Sequence, residues 1–158
     1  MKRLLITGAN GGLGSVCRDR LTHMADIIRL NARRDMGEPR ANEESVLGDL
    51  SDPEIVNKMV EGCDGIVHMG GQPNEATWDV VRDSNIDGVF NLYEAARLHG
   101  VKRIIFASSN HAIGFYPQDQ KLDAKSPPRP DTLYGVSQAF GDALASLYYD
   151  TFGLETAR

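Results

Sequence analysis

Arg3-Leu4-Leu5-Ile6-Thr7-Gly8-Ala9-Asn10-Gly11-Gly12-Leu13-Gly14 opens the chain almost at once. The apolar run Arg3–Thr7 is short and leads straight into glycine, the signature of a buried strand. A helical pattern follows, over residues 12–22. Glycine at 8, 11 and 14 serves three needs of such a junction: a tight turn, close approach of backbone to a diphosphate, and close packing of helix on strand. The amino end of the helix then offers free N–H groups and a positive dipole end to an anion. The stretch therefore reads as a dinucleotide phosphate loop, with Gly8, Gly11, Gly12, Leu13 and Gly14 around the phosphates. No Gly-Lys-Ser/Thr ending follows, which excludes a P-loop nucleotidase.

The remainder keeps the same rhythm. Asp26–Leu30, Ser45–Leu47, Gly65–Met69 and Arg103–Ala107 read as further buried strands. Residues 53–61, 77–99 and 133–152 read as helices. Strand and helix alternating in this way predict an α/β fold: a doubly wound parallel sheet, the Rossmann arrangement. Lys121–Pro130, with three prolines, reads as a surface loop. Gly153-Leu154-Glu155-Thr156-Ala157-Arg158 reads as the approach to a sixth strand. The expectation is one NAD(P)-binding domain over 1–158, a fragment of a longer protein that ends before that strand is complete and lacks a C-terminal substrate-binding part. The isolated 158 residues are then expected to be weakly active or inactive.

Composition narrows the partners. With 41% apolar and 25% charged residues, the chain can bury a core as a water-soluble domain. A net charge of -5 gives no electrostatic grip on nucleic acid or anionic lipid. No apolar run approaches the ~18 residues of a membrane span. Cys17 and Cys63 are far apart and lack metal-ligand spacing, so reduced thiols and a cytoplasmic location are expected, and no metal site.

The G-x-x-G-x-x-G spacing resembles the short-chain dehydrogenase/reductase superfamily, in its extended branch of NAD-dependent epimerases and dehydratases. The resemblance covers nearly the whole chain. Asp49-Leu50 matches the adenine contact of that branch, and His68-Met69-Gly70-Gly71 matches the turn beneath the cofactor. Asn85 matches its helix asparagine, and Ser108-Ser109-Asn110-His111 and Tyr134-Gly135-Val136-Ser137 match its active-site segments. Within the branch, Asn91–Arg97, Ala107–His111, Ile113–Tyr116 and Arg129-Pro130-Asp131 resemble the uronate dehydrogenases. That group moves hydride from the anomeric carbon of glucuronate or galacturonate to NAD, giving an aldarolactone. The resemblance thus implies an NAD(P)-dependent dehydrogenase acting on a CH–OH group of a sugar acid. Tyr134 would be the base, Ser109 would hold the reacting oxygen, and Asn110 and His111 would bind the sugar. Two other outcomes stay open: a nucleotide-binding protein without catalysis, and an epimerase or dehydratase. Pairing of copies through the long helices is a further expectation.

Three positions depart from the pattern. The family's Tyr-x-x-x-Lys ends here in Gln138, which can donate to ribose hydroxyls but carries no charge. The second strand is followed by Asn31-Ala32-Arg33-Arg34 where an acid is expected for the adenosine ribose. Asn31 could bond that ribose, and Arg33 could accept a 2′-phosphate, so NAD leads and NADP follows closely. Finally, Pro73 stands where uronate dehydrogenases carry a substrate-contacting serine, and Asn74 could replace it.

Overall fold

The computed structural model describes residues Met1–Arg158. Six strands make one parallel sheet: β1 (Arg3–Thr7), β2 (Ile27–Ala32), β3 (Glu43–Leu47), β4 (Gly65–His68), β5 (Arg103–Phe106) and β6 (Glu155–Ala157). Their order is β3-β2-β1-β4-β5-β6, so the chain reverses its winding between β1 and β4. Every pairing is parallel. The helices are α1 (Gly12–Arg20), α2 (Pro53–Val60), α3 (Trp78–Val81), α4 (Gly88–Leu98) and α5 (Leu133–Phe152). The sixth strand does form within the chain. Arg103 pairs with Glu155 in register, and their side chains form an ion pair.

Alternation along each strand sorts side chains to two faces. Leu5, Ile66 and Ile104 point into the larger core, packed by Val56 and Met59 of α2, Leu92 and Tyr93 of α4, and Leu144 and Tyr148 of α5. Leu4, Ile6, Ile28, Leu30 and Val67 point the other way, under Cys17 of α1 and Leu21. The strands at β3 and β5 are not fully buried as expected. In β5 only Ile104 and Phe106 are buried while Ile105 is exposed, and β3 has no buried residue. At β3 the reason is position: it is the sheet edge, paired only with β2.

Local chemistry sets the helix ends. Asp52 caps α2 by accepting from Glu54 N–H and Ile55 N–H, with Pro53 in the first turn. Thr132 caps α5 through Gly135 N–H, and the helix stops at Gly153. The helix expected over 77–99 is interrupted by a π-helical segment, Arg82–Asp87. Such segments recur at functional sites, and this one carries the buried Asn85. No helix is long and apolar enough to cross a membrane.

Candidate active site

Where β1 and β4 diverge, their carboxyl ends leave a crevice, the expected ligand position in an open parallel sheet. A cleft of about 300 Å³ lies there. It gathers Gly8, Gly11, Gly12, Leu13 and Gly14 from the first loop, Asn31 and Arg33 from the end of β2, Asp49 and Leu50 from the end of β3, and Met69, Gly70, Gly71 and Pro73 from the end of β4. Loop and strand are locked by contact. Gly8 has a φ of 64°, and a Cβ on it would lie 2.7 Å from the Met69 carbonyl oxygen. A Cβ on Gly14 would collide with the Gly8 carbonyl oxygen. A Cβ on Gly12 would meet nothing within 4 Å. Gly12 therefore faces open space rather than packing.

The first turn of α1 holds no acidic residue, and no side chain caps it. Its leading N–H groups are thus left for an anion. This is an observation about the site's chemistry that fits a diphosphate.

A second, smaller cleft of about 130 Å³ joins the first through Leu13, Met69, Gly70, Gly71 and Pro73. It adds Asn85, Ser108, Tyr134 and Gln138. Gln138 is only 7% exposed, and its Oε1 has no partner. A buried acceptor without a donor costs about 1–3 kcal/mol, so this atom suits a ligand hydroxyl. Together the uncapped helix end and the unpaired Gln138 acceptor fit a pyridine dinucleotide lying across both clefts.

Asn85 turns out to position rather than to offer a free donor. Its Oδ1 accepts Gln72 N–H at 2.7 Å, and its Nδ2 donates to Gln72 O and to Ser137 Oγ, both at 3.0 Å. Ser137 in turn donates to Tyr134 O at 2.7 Å. Asn85 therefore ties the loop after β4 to the first turn of α5. Asn31 is similarly engaged: its amide donates to the Val46 and Gly48 carbonyls, leaving only its oxygen for a ribose.

The Ser109-Asn110-His111 run forms a 3₁₀ turn, Asn110–Ile113, that neither cleft includes, and Asn74 also lies outside both. Ser109 Oγ accepts His111 N–H at 3.2 Å. Its own proton has only Asn110 Oδ1 at 3.5 Å, a weak contact that leaves it available. The hydroxyl on the cleft wall is that of the neighbouring Ser108, which donates to Asp142 Oδ2 at 3.2 Å. Burial raises the Asp142 carboxyl above the ordinary carboxylate range.

His111 is held edge-on to the Tyr134 ring, with centroids 5.6 Å apart. Its Nδ1 lies 2.8 Å from Asp131 Oδ1, and this contact holds the Asp131 carboxyl below its usual range. An ionised carboxylate only accepts. The Nδ1 therefore carries the proton, and Nε2 is left as an acceptor. A second acid, Glu75, accepts from Leu133 N–H at 3.3 Å and Tyr134 N–H at 3.0 Å. It caps α5 from the loop after β4, beside the Thr132 cap.

Sequence reasoning missed Glu75 and Asp142, and it named Ser108 and Asp131 only within matching stretches, with no role. Only Asp131 carried a local signal, an acid directly before the Thr132 helix cap.

A family model described as the NAD dependent epimerase/dehydratase family matches residues 4–157. A uronate dehydrogenase from Agrobacterium fabrum is 55% identical over 157 residues, which is 99% of this chain and 59% of that protein. The crystal structure of a mutant uronate dehydrogenase from Agrobacterium tumefaciens complexed with NAD superposes with a TM-score of 0.97 at 54% identity, over 99% of this chain and 59% of that one. A glucuronic acid dehydrogenase from Chromohalobacter salexigens superposes with a TM-score of 0.96 at 50% identity, over 98% of this chain and 58% of that one. The chain thus spans less than two thirds of the length of these relatives.

Proposed function

Because the chain belongs to the NAD dependent epimerase/dehydratase family, we propose that residues 1–158 are the nucleotide-binding domain of a dehydrogenase that oxidises the anomeric carbon of a hexuronate, glucuronate or galacturonate, to an aldarolactone with NAD or NADP. The observation that carries this reading is the continuity of the two clefts. One runs from the glycine loop and the bare end of α1, and the other brings Tyr134 and the unpaired Gln138 acceptor to its far end. A dinucleotide lying along them would be held by Gly11–Gly14 at its diphosphate and by Tyr134 and Gln138 at its nicotinamide end.

The bound nicotinamide would supply the electron acceptor. The chain supplies the rest. Tyr134 Oη takes the proton of the sugar hydroxyl, and Ser109 Oγ donates to the same oxygen. His111 Nε2, free because Nδ1 bonds Asp131, accepts from a neighbouring sugar hydroxyl. Asn110, exposed beside it, adds a donor and an acceptor. Gln138 meets a ribose hydroxyl with its unpaired oxygen. The sugar acid, rather than nucleic acid, is the partner this site suits.

The test is direct. In a chain extended to the length of its relatives, glucuronate and galacturonate are each supplied with NAD or NADP, and absorbance of the reduced cofactor is followed. Reduction with either sugar is expected. Silence with both sugars and both cofactors overturns the reading. One observation favours a second reading, a nucleotide binder without catalysis: Gln138 gives Tyr134 no cationic neighbour on its helix turn. The same assay, paired with calorimetric detection of bound cofactor, separates the two.

A further inference from the structure

We propose that Arg33 makes the adenosine end of the cleft a site for a 2′-phosphate, so that the chain binds NADP more tightly than NAD. This rests on the cleft being a pyridine-dinucleotide site. An NAD site places a carboxylate just past the second strand, where it accepts from the ribose hydroxyls, whereas an arginine there suits a 2′-phosphate. Here β2 ends in Ala32, a methyl group that lines the cleft and offers no acceptor. The Asn31 amide is tied to the Val46 and Gly48 carbonyls at 3.1 and 3.2 Å. The next acid, Asp35, bonds Gly37 N–H at 3.1 Å in its own turn and does not line the cleft.

What does stand at this end is a cation. The Arg33 side chain is 68% exposed and lines the cleft. Its nearest acid is Asp49, at 4.0 Å from Nη1. That distance is a charge contact and no hydrogen bond. The planar donor fork of the guanidinium is therefore still free for a phosphate, the geometry it matches best. Asp49 is itself engaged by Ser51 N–H and Ser51 Oγ, both at 3.0 Å. Ser51 thus holds Oδ1 within the loop, and Oδ2 is the atom set against Arg33. Arg34 follows, exposed, and adds positive potential at the same end.

Isothermal calorimetry of the 158-residue chain with NADP and NAD, and with 2′-AMP and 5′-AMP as fragments, tests this. Charge-assisted hydrogen bonds of this kind change affinity by roughly ten- to hundredfold. NADP is expected to bind tighter than NAD by about that factor at low salt, and 2′-AMP tighter than 5′-AMP. Arg33→Ala is expected to remove most of the advantage, weakening NADP far more than NAD. Ala32→Asp is expected to reverse the order. NAD binding as tightly as NADP, or Arg33→Ala weakening both equally, overturns the proposal and leaves the dinucleotide site standing. Binding of neither dinucleotide overturns the proposal and the site together.

Discussion

His111 and His68 are each held at Nδ1, the first by the Asp131 carboxylate and the second by the Thr7 hydroxyl. His111 gives Nδ1–H to the ionised Asp131 at 2.8 Å. At His68, Nδ1 lies 2.7 Å from Thr7 Oγ1, which already accepts Gly70 N–H at 3.1 Å. The threonine hydroxyl still has its own proton to give, and with that proton on the Thr7 Oγ1–His68 Nδ1 line His68 is expected to keep its proton on Nε2. One imidazole is aimed outward by a carboxylate, and the other is locked inside the sheet. Nitrogen-15 NMR is expected to show the two tautomers. Asp131→Asn is expected to shift His111 toward Nε2–H while leaving His68 unchanged. A His111 already in the Nε2–H form in the unaltered chain would remove the basis for the role proposed for it, accepting sugar hydroxyls.

Burial gives His68 a second consequence. Desolvation pushes its pKa from 6.5 down to about 4. The unfolded chain takes up a proton near pH 6.5 while the folded chain refuses it until about pH 4. Stability attributable to this residue is therefore full above pH 6.5 and is lost progressively as pH falls toward 4. The whole span is worth about 3 kcal/mol. Urea unfolding at pH 7 and pH 4.5 is expected to show a loss larger in the natural chain than in His68→Asn, by about 2–3 kcal/mol. Equal losses would mean that His68 is not the acid-sensitive group.

The phosphate loop allows a paired test. Gly14→Ala forces a methyl into the Gly8 carbonyl, so backbone must move and both stability and cofactor binding are expected to fall. Gly12→Ala adds a methyl where no atom lies within 4 Å. Stability is expected to hold within about 0.5 kcal/mol, the usual range for a neutral surface change. Dinucleotide affinity is nonetheless expected to drop, because the methyl would intrude where the diphosphate is proposed to rest. Unchanged affinity in Gly12→Ala would move the diphosphate away from this turn.

These contrasts mark what a reader of the sequence can reach. Gly8, Gly11 and Gly14 announce themselves because strand, turn and helix requirements coincide within twelve residues. The strands at β1 and β4 and the full extent of α5 follow from apolar runs and local caps. The π-helical segment at Arg82–Asp87 does not, because the apolar spacing of 77–99 is compatible with one unbroken helix. Within that segment Asn85 bonds Gln72 and Ser137, 13 and 52 residues away in the chain, contacts that no local pattern announces. Glu75 is hidden for the same reason: the N–H groups it accepts belong to residues 58 and 59 positions later. Ser108 and Ser109 are adjacent and chemically identical, and only the turn of the backbone decides which lines the cleft.

The Glu75 contact makes its own prediction. Its carboxylate holds the N–H groups of Leu133 and Tyr134, while Thr132 Oγ1 separately holds Gly135 N–H at 2.9 Å. A cap of this kind is worth about 1 kcal/mol. In Glu75→Ala, hydrogen exchange at Leu133 and Tyr134 is expected to speed up roughly fivefold. Gly135 is expected to stay protected and serves as the internal control. Equal acceleration at all three amides would mean that the helix end frays as a whole and that Glu75 is not a separate anchor for Tyr134.

Gln138 poses the sharpest question, because it lies one turn of α5 after Tyr134 and lines the same cleft yet carries no charge. A cation beside a phenol favours its ionised form. Two to three pKa units correspond to ~3–4 kcal/mol, or ~10²–10³ in rate near neutral pH. Gln138→Lys, in a chain extended to the length of its relatives, is expected to raise turnover of the hexuronate by up to that factor. The position is 7% exposed, so an ammonium there also needs a partner, and a loss of thermal stability is expected alongside. Gln138→Met supplies the control: it removes the amide without adding charge, and turnover is expected to fall or stay level. If Gln138→Lys binds cofactor normally and turns over no faster, charge at this position does not limit the reaction. Tyr134 would then be ionised enough without a cation beside it, or a step other than the proton transfer would set the rate.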